Sequence, residues 1–174
     1  MNKLFLAAIK EETIGLDYFY HTGVGKINAT YSSLKFISKH KPKIIINYGT
    51  AGAINSNLNG IIECTKFYQR DMDVRGLNFE LGETPYDKIG EIITSESGYS
   101  CGSGDSFVNE KIEMNVDVVD MEAYAIAKVC KLENIQFKCF KYISDKADGN
   151  AENDWKKSLE IASNAFSNFI ATRL

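Results

Sequence analysis

Short apolar runs recur along this chain, and between several of them the apolar residues return only every three or four positions. Leu4-Phe5-Leu6-Ala7-Ala8-Ile9, Tyr18-Phe19-Tyr20, Ile44-Ile45-Ile46, Ile61 to Phe67 and Phe137 to Ile143 read as strands, and two more are expected near Tyr99 and at Val116. β-Branched and aromatic residues fit a pleated, half-buried surface, which is why such runs favour strand. Helices fit Lys26 to His40, with Ile27, Tyr31, Leu34 and Ile37 in phase, then 121–132, then Trp155 to Ile170. Leu159, Ile161, Ala162 and Phe166 mark the apolar side of the last one, and Pro42 closes the first. Residues 78–92 form a polar connection with glycine and proline. The alternation restricts the chain to an α/β fold with a largely parallel or mixed sheet. Its 174 residues suit one domain, 1–174, and not two.

A formal net charge of −3, with no basic stripe, argues against nucleic acid as a partner. Cys64, Cys101, Cys130 and Cys139 form no C-x-x-C pair, and with His21 and His40 they give no metal-ligand spacing. They read as reduced, buried thiols of a cytoplasmic protein. The apolar run Leu4 to Ile9 is too short for a signal sequence, and no stretch approaches a membrane span, so no membrane partner is expected.

In such sheets ligands meet the loops at the carboxyl ends of strands, and here those ends carry Glu12, Gly49-Thr50, Met121-Glu122 and Ser144-Asp145. "HTGVGKINAT" is too short between its glycines for a nucleotide-phosphate loop and lacks the hydroxyl after the lysine. A tight turn opening a helix is the reading it supports. "NYGTAGAI" by itself is a strand-to-helix turn in which Gly49 and Gly52 permit positive φ. Phe107 in "CGSGDSFV" can stack on a planar base, although most such aromatics are core. Glu12 alone can be a first-turn acid, and Asp145 an N-cap. Asp120 reads as structural or partly exposed. Glu122 is harder to dismiss, because the small, apolar helix after it implies deep burial. Three carboxylates at separate strand ends suit an oxocarbenium-like sugar: one stabilises it, one protonates a leaving group and one activates water.

Taken together and in this order, "AAIKEET", "GVGKINAT", "IIINYGTAGAI", "RDMDV", "GSGDSFV", "VVDMEAYAIAKVC" and "YISDKAD" resemble the nucleoside phosphorylase/hydrolase superfamily. The resemblance is strongest to its 5′-methylthioadenosine/S-adenosylhomocysteine nucleosidases, and it spans nearly the whole chain. It implies a central mixed sheet flanked by helices, a homodimer, a purine nucleoside as the small-molecule partner, and no cofactor or metal. Catalytic Glu12 would position and deprotonate water, and catalytic Asp145 would protonate the purine, steadied by Ser144. Glu122 and Met121 would hold the ribose, and Phe107 and the Val108 backbone the adenine. Thr50 stands where the family has a small hydroxyl residue near the catalytic acid. Val74, Leu77 and Phe79, with Ile9, would wall the 5′-alkylthio group, in part from a partner subunit. The activity implied is hydrolysis of 5′-thio-substituted adenosines, since Glu12 would repel the phosphate that a phosphorylase needs.

This chain departs from the family's pattern in places. Only ten residues separate Glu12 from Gly23, and Arg70 replaces the histidine expected before Asp71. Arg70 and Arg75 leave open a phosphorylated nucleoside such as AMP, against the plainer reading of solvated surface arginines. A phosphate-dependent phosphorylase also stays open, as does a silent nucleoside-binding protein.

Overall fold

The computed structural model describes residues 2–173 except Lys88; the part of the 78–92 connection that falls on Lys88, and the outermost residues of the expected domain, lie outside the described residues. In chain order the elements are β1 (Lys3–Ala7), β2 (Phe19–His21), α1 (Lys26–His40), β3 (Ile44–Ala53), β4 (Ile61–Gln69) and β5 (Ile92–Ile93). There follow β6 (Tyr99–Ser103), β7 (Val118–Asp120), α2 (Ala123–Leu132), β8 (Gln136–Asp145) and α3 (Ala151–Arg173), with a 3-10 turn at Lys10–Thr13 between β1 and β2.

β1 runs parallel to β2 and β3, and β3 runs parallel to β8 but antiparallel to β7. β6 is parallel to both β7 and β4, and β4 is antiparallel to β8 and β5. The path β3–β7–β6–β4–β8 returns to β3, closing a ring that leaves these five strands without free edges. The expected mixed sheet flanked by helices is therefore what forms.

β3 shows why the apolar run is continuous. Ile44, Ile46 and Tyr48 pack on the α3 side, while Ile45, Ala51 and Ala53 join the larger cluster with α2, so both faces are buried. Phe166 of α3 stacks on Tyr48 with centroids 3.7 Å apart, and the Tyr48 hydroxyl donates to the Ala162 carbonyl at 2.6 Å. α2 is buried along most of its length, its alanines letting the helix lie close to the sheet.

Several expectations are revised. β3 continues through "NYGTAGA" instead of turning, and neither Gly49 nor Gly52 has a positive φ. β1 ends at Ala7, and the strand expected at Val116 begins at Val118, with Val116 buried just before it. α2 starts at Ala123, leaving Met121 and Glu122 in the bend ahead of it. The α1 boundaries are those read from the sequence, but its apolar stripe splits: Ile37 is buried, whereas Ile27 and Tyr31 are 82% and 67% exposed. Leu34 and, on α3, Ile161 also face outward. The turn before α1 is the tight glycine turn expected, with φ of 85° at Gly23 and 90° at Gly25.

Candidate active site

The carboxyl ends of β1, β3, β7 and β8 converge on a cavity of about 340 Å³, within the range of small-molecule sites. Glu12 enters it from the 3-10 turn after β1 and is 5% exposed. Its Oε1 accepts two bonds from Thr50, one from the backbone N–H and one from the hydroxyl, each 2.7 Å. Its Oε2 is buried with no hydrogen-bond partner among the described residues.

Asp145 ends β8 at a bulge. Ala51 pairs with Ile143 but Gly52 pairs with Asp145, so Ser144 is the extra residue and the strand is re-aimed there. The Ser144 hydroxyl donates to Asp145 Oδ2 at 2.7 Å, and the Ala147 N–H donates to Oδ1 at 2.8 Å. Gly52 supplies room for this carboxylate: a Cβ on Gly52 would stand 2.7 Å from Asp145 Oδ1, closer than real contacts allow. The glycine in the motif thus serves close approach and not an unusual dihedral.

Asp120 and Glu122, two residues apart, have opposite surroundings. Asp120 forms an ion pair with Lys141 at 2.7 Å, their side chains 1% and 2% exposed. It also accepts the Ser103 hydroxyl at 2.5 Å and the Ala123 N–H, at the start of α2, at 2.9 Å. Burial works to raise the Asp120 carboxyl, but the Lys141 charge and these hydrogen bonds outweigh it and hold the carboxyl below its usual value. Burial works likewise to lower the Lys141 ammonium, and Asp120 holds it well above the ordinary lysine range. Asp120 is structural, as one expectation had it, and wholly buried rather than partly exposed. Glu122 takes a hydrogen bond from the Gly25 N–H, 2.8 Å from its Oε1. Burial, and next the Asp120 charge, push its carboxyl from 4.5 up to about 8 against the pull of Lys141.

Ile9, Thr50, Phe107, Val108, Met121 and Ser144 line the same cavity as the three carboxylates. Thr50's hydroxyl serves Glu12, while Asp145 takes its hydroxyl bond from Ser144. Val74, Leu77 and Phe79 are not among the lining residues, and Leu77 is exposed. Arg75 is held at the surface by Asp73 and Glu113. Arg70, by contrast, is half-buried in the cavity wall and donates to the Gly104 and Ser106 carbonyls, which corrects its reading as a solvated side chain.

Sequence reasoning missed two residues. Lys141 shares a strand face with Phe137, Cys139 and Ile143, and a lysine on an apolar face is itself a signal for a buried partner. Trp155, in the first turns of α3, lines the cavity edge-on to Phe107 and donates its indole N–H to the Thr50 hydroxyl at 2.9 Å. Its helical phase alone marked it only as a place to start a helix.

A closed mixed sheet with Glu12, Glu122 and Asp145 around one cavity at its strand ends fits the nucleoside phosphorylase and hydrolase class. A family profile described as the phosphorylase superfamily matches residues 18–174. A 5′-methylthioadenosine/S-adenosylhomocysteine nucleosidase of Staphylococcus aureus strain MRSA252 is 30% identical over 187 aligned residues, covering 92% of this chain and 80% of the relative. Among solved structures, a Helicobacter pylori nucleosidase carrying a D198N substitution, with 5′-methylthioadenosine in its active site, superposes with a TM-score of 0.88 at 20% identity, over 98% of this chain and 96% of that one. The native futalosine hydrolase of the same species gives 0.87 at 20% identity over the same shares. The chain belongs to the phosphorylase superfamily and, within it, to the 5′-methylthioadenosine/S-adenosylhomocysteine nucleosidase family.

Proposed function

We propose that this protein hydrolyses the N-glycosidic bond of 5′-thio-substituted adenosines, methylthioadenosine and S-adenosylhomocysteine, releasing adenine. The observation that carries this reading is the buried Glu12 Oε2, which has no partner among the described residues and belongs to a carboxylate already fixed through its other oxygen. A water bonded there loses a proton to Glu12 as its oxygen attacks C1′. The C1′–N9 bond breaks, its electron pair passes into the purine, and Asp145 delivers a proton to N7, so adenine leaves neutral. Glu122 accepts from the ribose hydroxyls, with Met121 against the sugar and Phe107 and Val108 on the base. Positive charge developing on the sugar is stabilised by the same carboxylates.

Water, not phosphate, is the nucleophile in this reading, because an anion at the attacking position would face the Glu12 carboxylate. Arg75 is engaged with two carboxylates at the surface and so does not favour a phosphorylated substrate. The chain acts in this reading as a cytoplasmic homodimer. Supporting that, its four cysteines are buried free thiols, and among the described residues no helix is long and apolar enough to cross a membrane. Ile27, Tyr31 and Leu34 on α1 and Leu132 on α2 present an apolar face that a second copy would cover. Val74, Leu77 and Phe79 could reach a 5′ group only across such an interface. The test is adenine release from methylthioadenosine with and without phosphate. Release without phosphate, together with free methylthioribose, supports the reading; release that depends on phosphate overturns it.

A further inference from the structure

We infer that Trp155 is a positioning residue: through the Thr50 hydroxyl it decides which oxygen of Glu12 is left free to meet the attacking water. The inference rests on the hydrolytic reading above and extends it to a residue outside the reacting groups.

Donors and acceptors fix the direction of this chain of bonds. An indole N–H can only donate, so the 2.9 Å contact between Trp155 Nε1 and Thr50 Oγ1 fills one lone pair of the hydroxyl. The hydroxyl's single proton cannot point back at the indole hydrogen. It is directed instead to the acceptor on its other side, Glu12 Oε1, at 2.7 Å. Without the indole the hydroxyl could rotate and spend its proton elsewhere. With it, the chain Trp155 to Thr50 to Glu12 has one polarity.

The Thr50 backbone N–H adds a second bond to the same oxygen, so Oε1 carries two donors while Oε2 carries none among the described residues. A carboxylate oxygen loaded with two donors is the poorer proton acceptor of the pair. Proton transfer from water is thereby directed to Oε2, and the carboxylate cannot turn without breaking both Thr50 bonds. Trp155 is itself fixed by α3 and by its edge-on contact with Phe107, centroids 6.4 Å apart. The end of α3 that closes the cavity is in this way tied to the base.

Trp155→Phe keeps an aromatic ring and removes the donor. The expected result is a kcat lower by about tenfold, the scale of one hydrogen bond into a charged network, with KM within about twofold. In a Thr50→Ser background, which keeps the hydroxyl, the same change costs as much. In Thr50→Val, which lacks it, Trp155→Phe costs nothing further. An unchanged kcat, a rise in KM alone, or an equal cost in the Thr50→Val background overturns the inference.

Should Trp155→Phe fail to fold, the sole tryptophan of the chain supplies a second readout. Its emission shifts to shorter wavelength in Thr50→Val but not in Thr50→Ser, and emission unaffected by Thr50→Val overturns the hydrogen-bonded chain. Wild-type protein that releases no adenine takes down the hydrolytic reading and this inference with it. Active wild type with an unaffected Trp155→Phe takes down the inference alone.

Discussion

The floor and the lining of the cavity use the same kind of group in opposite ways. On the floor, Asp120 is saturated: an ammonium, a hydroxyl and a backbone N–H satisfy it within the chain. In the lining, Glu122 two residues later has a backbone donor on Oε1, and Glu12 keeps one oxygen without any among the described residues. The floor carboxylate is held ionised by its neighbours, whereas the lining carboxylate Glu122 is pushed up to about 8 by burial and by that very neighbour. The difference teaches that burial depth does not distinguish a structural charge from a functional one. What distinguishes them is whether folding supplies the partners or leaves them for a ligand.

That contrast can be broken from either side. Removing the lining's acid with Asp145→Asn should cut turnover by about a thousandfold or more, with nucleoside binding still measurable by calorimetry and the melting temperature nearly unchanged. Retained turnover would show that another group protonates the base. Breaking the floor should do the reverse. Lys141→Met strands a buried carboxylate and should cost about 3–5 kcal/mol in denaturant unfolding, much of it regained when Asp120→Asn is added. A single variant as stable as wild type would mean that the ion pair contributes nothing to the fold.

Gly52→Ala probes the join between the two regions. Its methyl must displace the Asp145 carboxylate, so kcat should fall by about a hundredfold while the chain still folds. Full activity would mean that Asp145 has other room.

The smallest effect concerns pH. With a folded value of about 8 against the usual 4.5, Glu122 binds its proton more tightly in the folded state, so its contribution is complete below 4.5 and lost as pH rises through about 8. Stability of the free protein should fall over that window by on the order of a few kcal/mol at most, and Glu122→Gln should flatten the fall. Parallel pH–stability curves for the two proteins would remove the contrast with Asp120.

Much of the fold and site is legible in the sequence, for identifiable reasons. The α1 boundaries follow from a glycine turn and a closing proline. Strands β3 and β8 follow from β-branched and aromatic runs, and each of Glu12, Glu122 and Asp145 stands out as a carboxylate at a strand end. The resemblance then groups these residues, and the structure places all three around one cavity. Other features have no local signal. The stripe of Ile27, Tyr31 and Leu34 has helical phase, but phase says only that the residues share a face and not what the face meets. Gly52 of "NYGTAGA" reads as a turn-former, since the Asp145 carboxylate that needs its space comes from a strand more than ninety residues away.

The sequence by itself determined the elements and the chemical inventory, because periodicity, turn residues and acid placement are local properties. Only the tertiary structure decided which groups are satisfied. Asp120 meets Lys141 because β7 and β8 both border β3, and Trp155 meets Thr50 because α3 folds back over β3. A hydrogen bond or ion pair belongs to two positions at once, and their meeting depends on strand register and helix packing that no single stretch of chain contains.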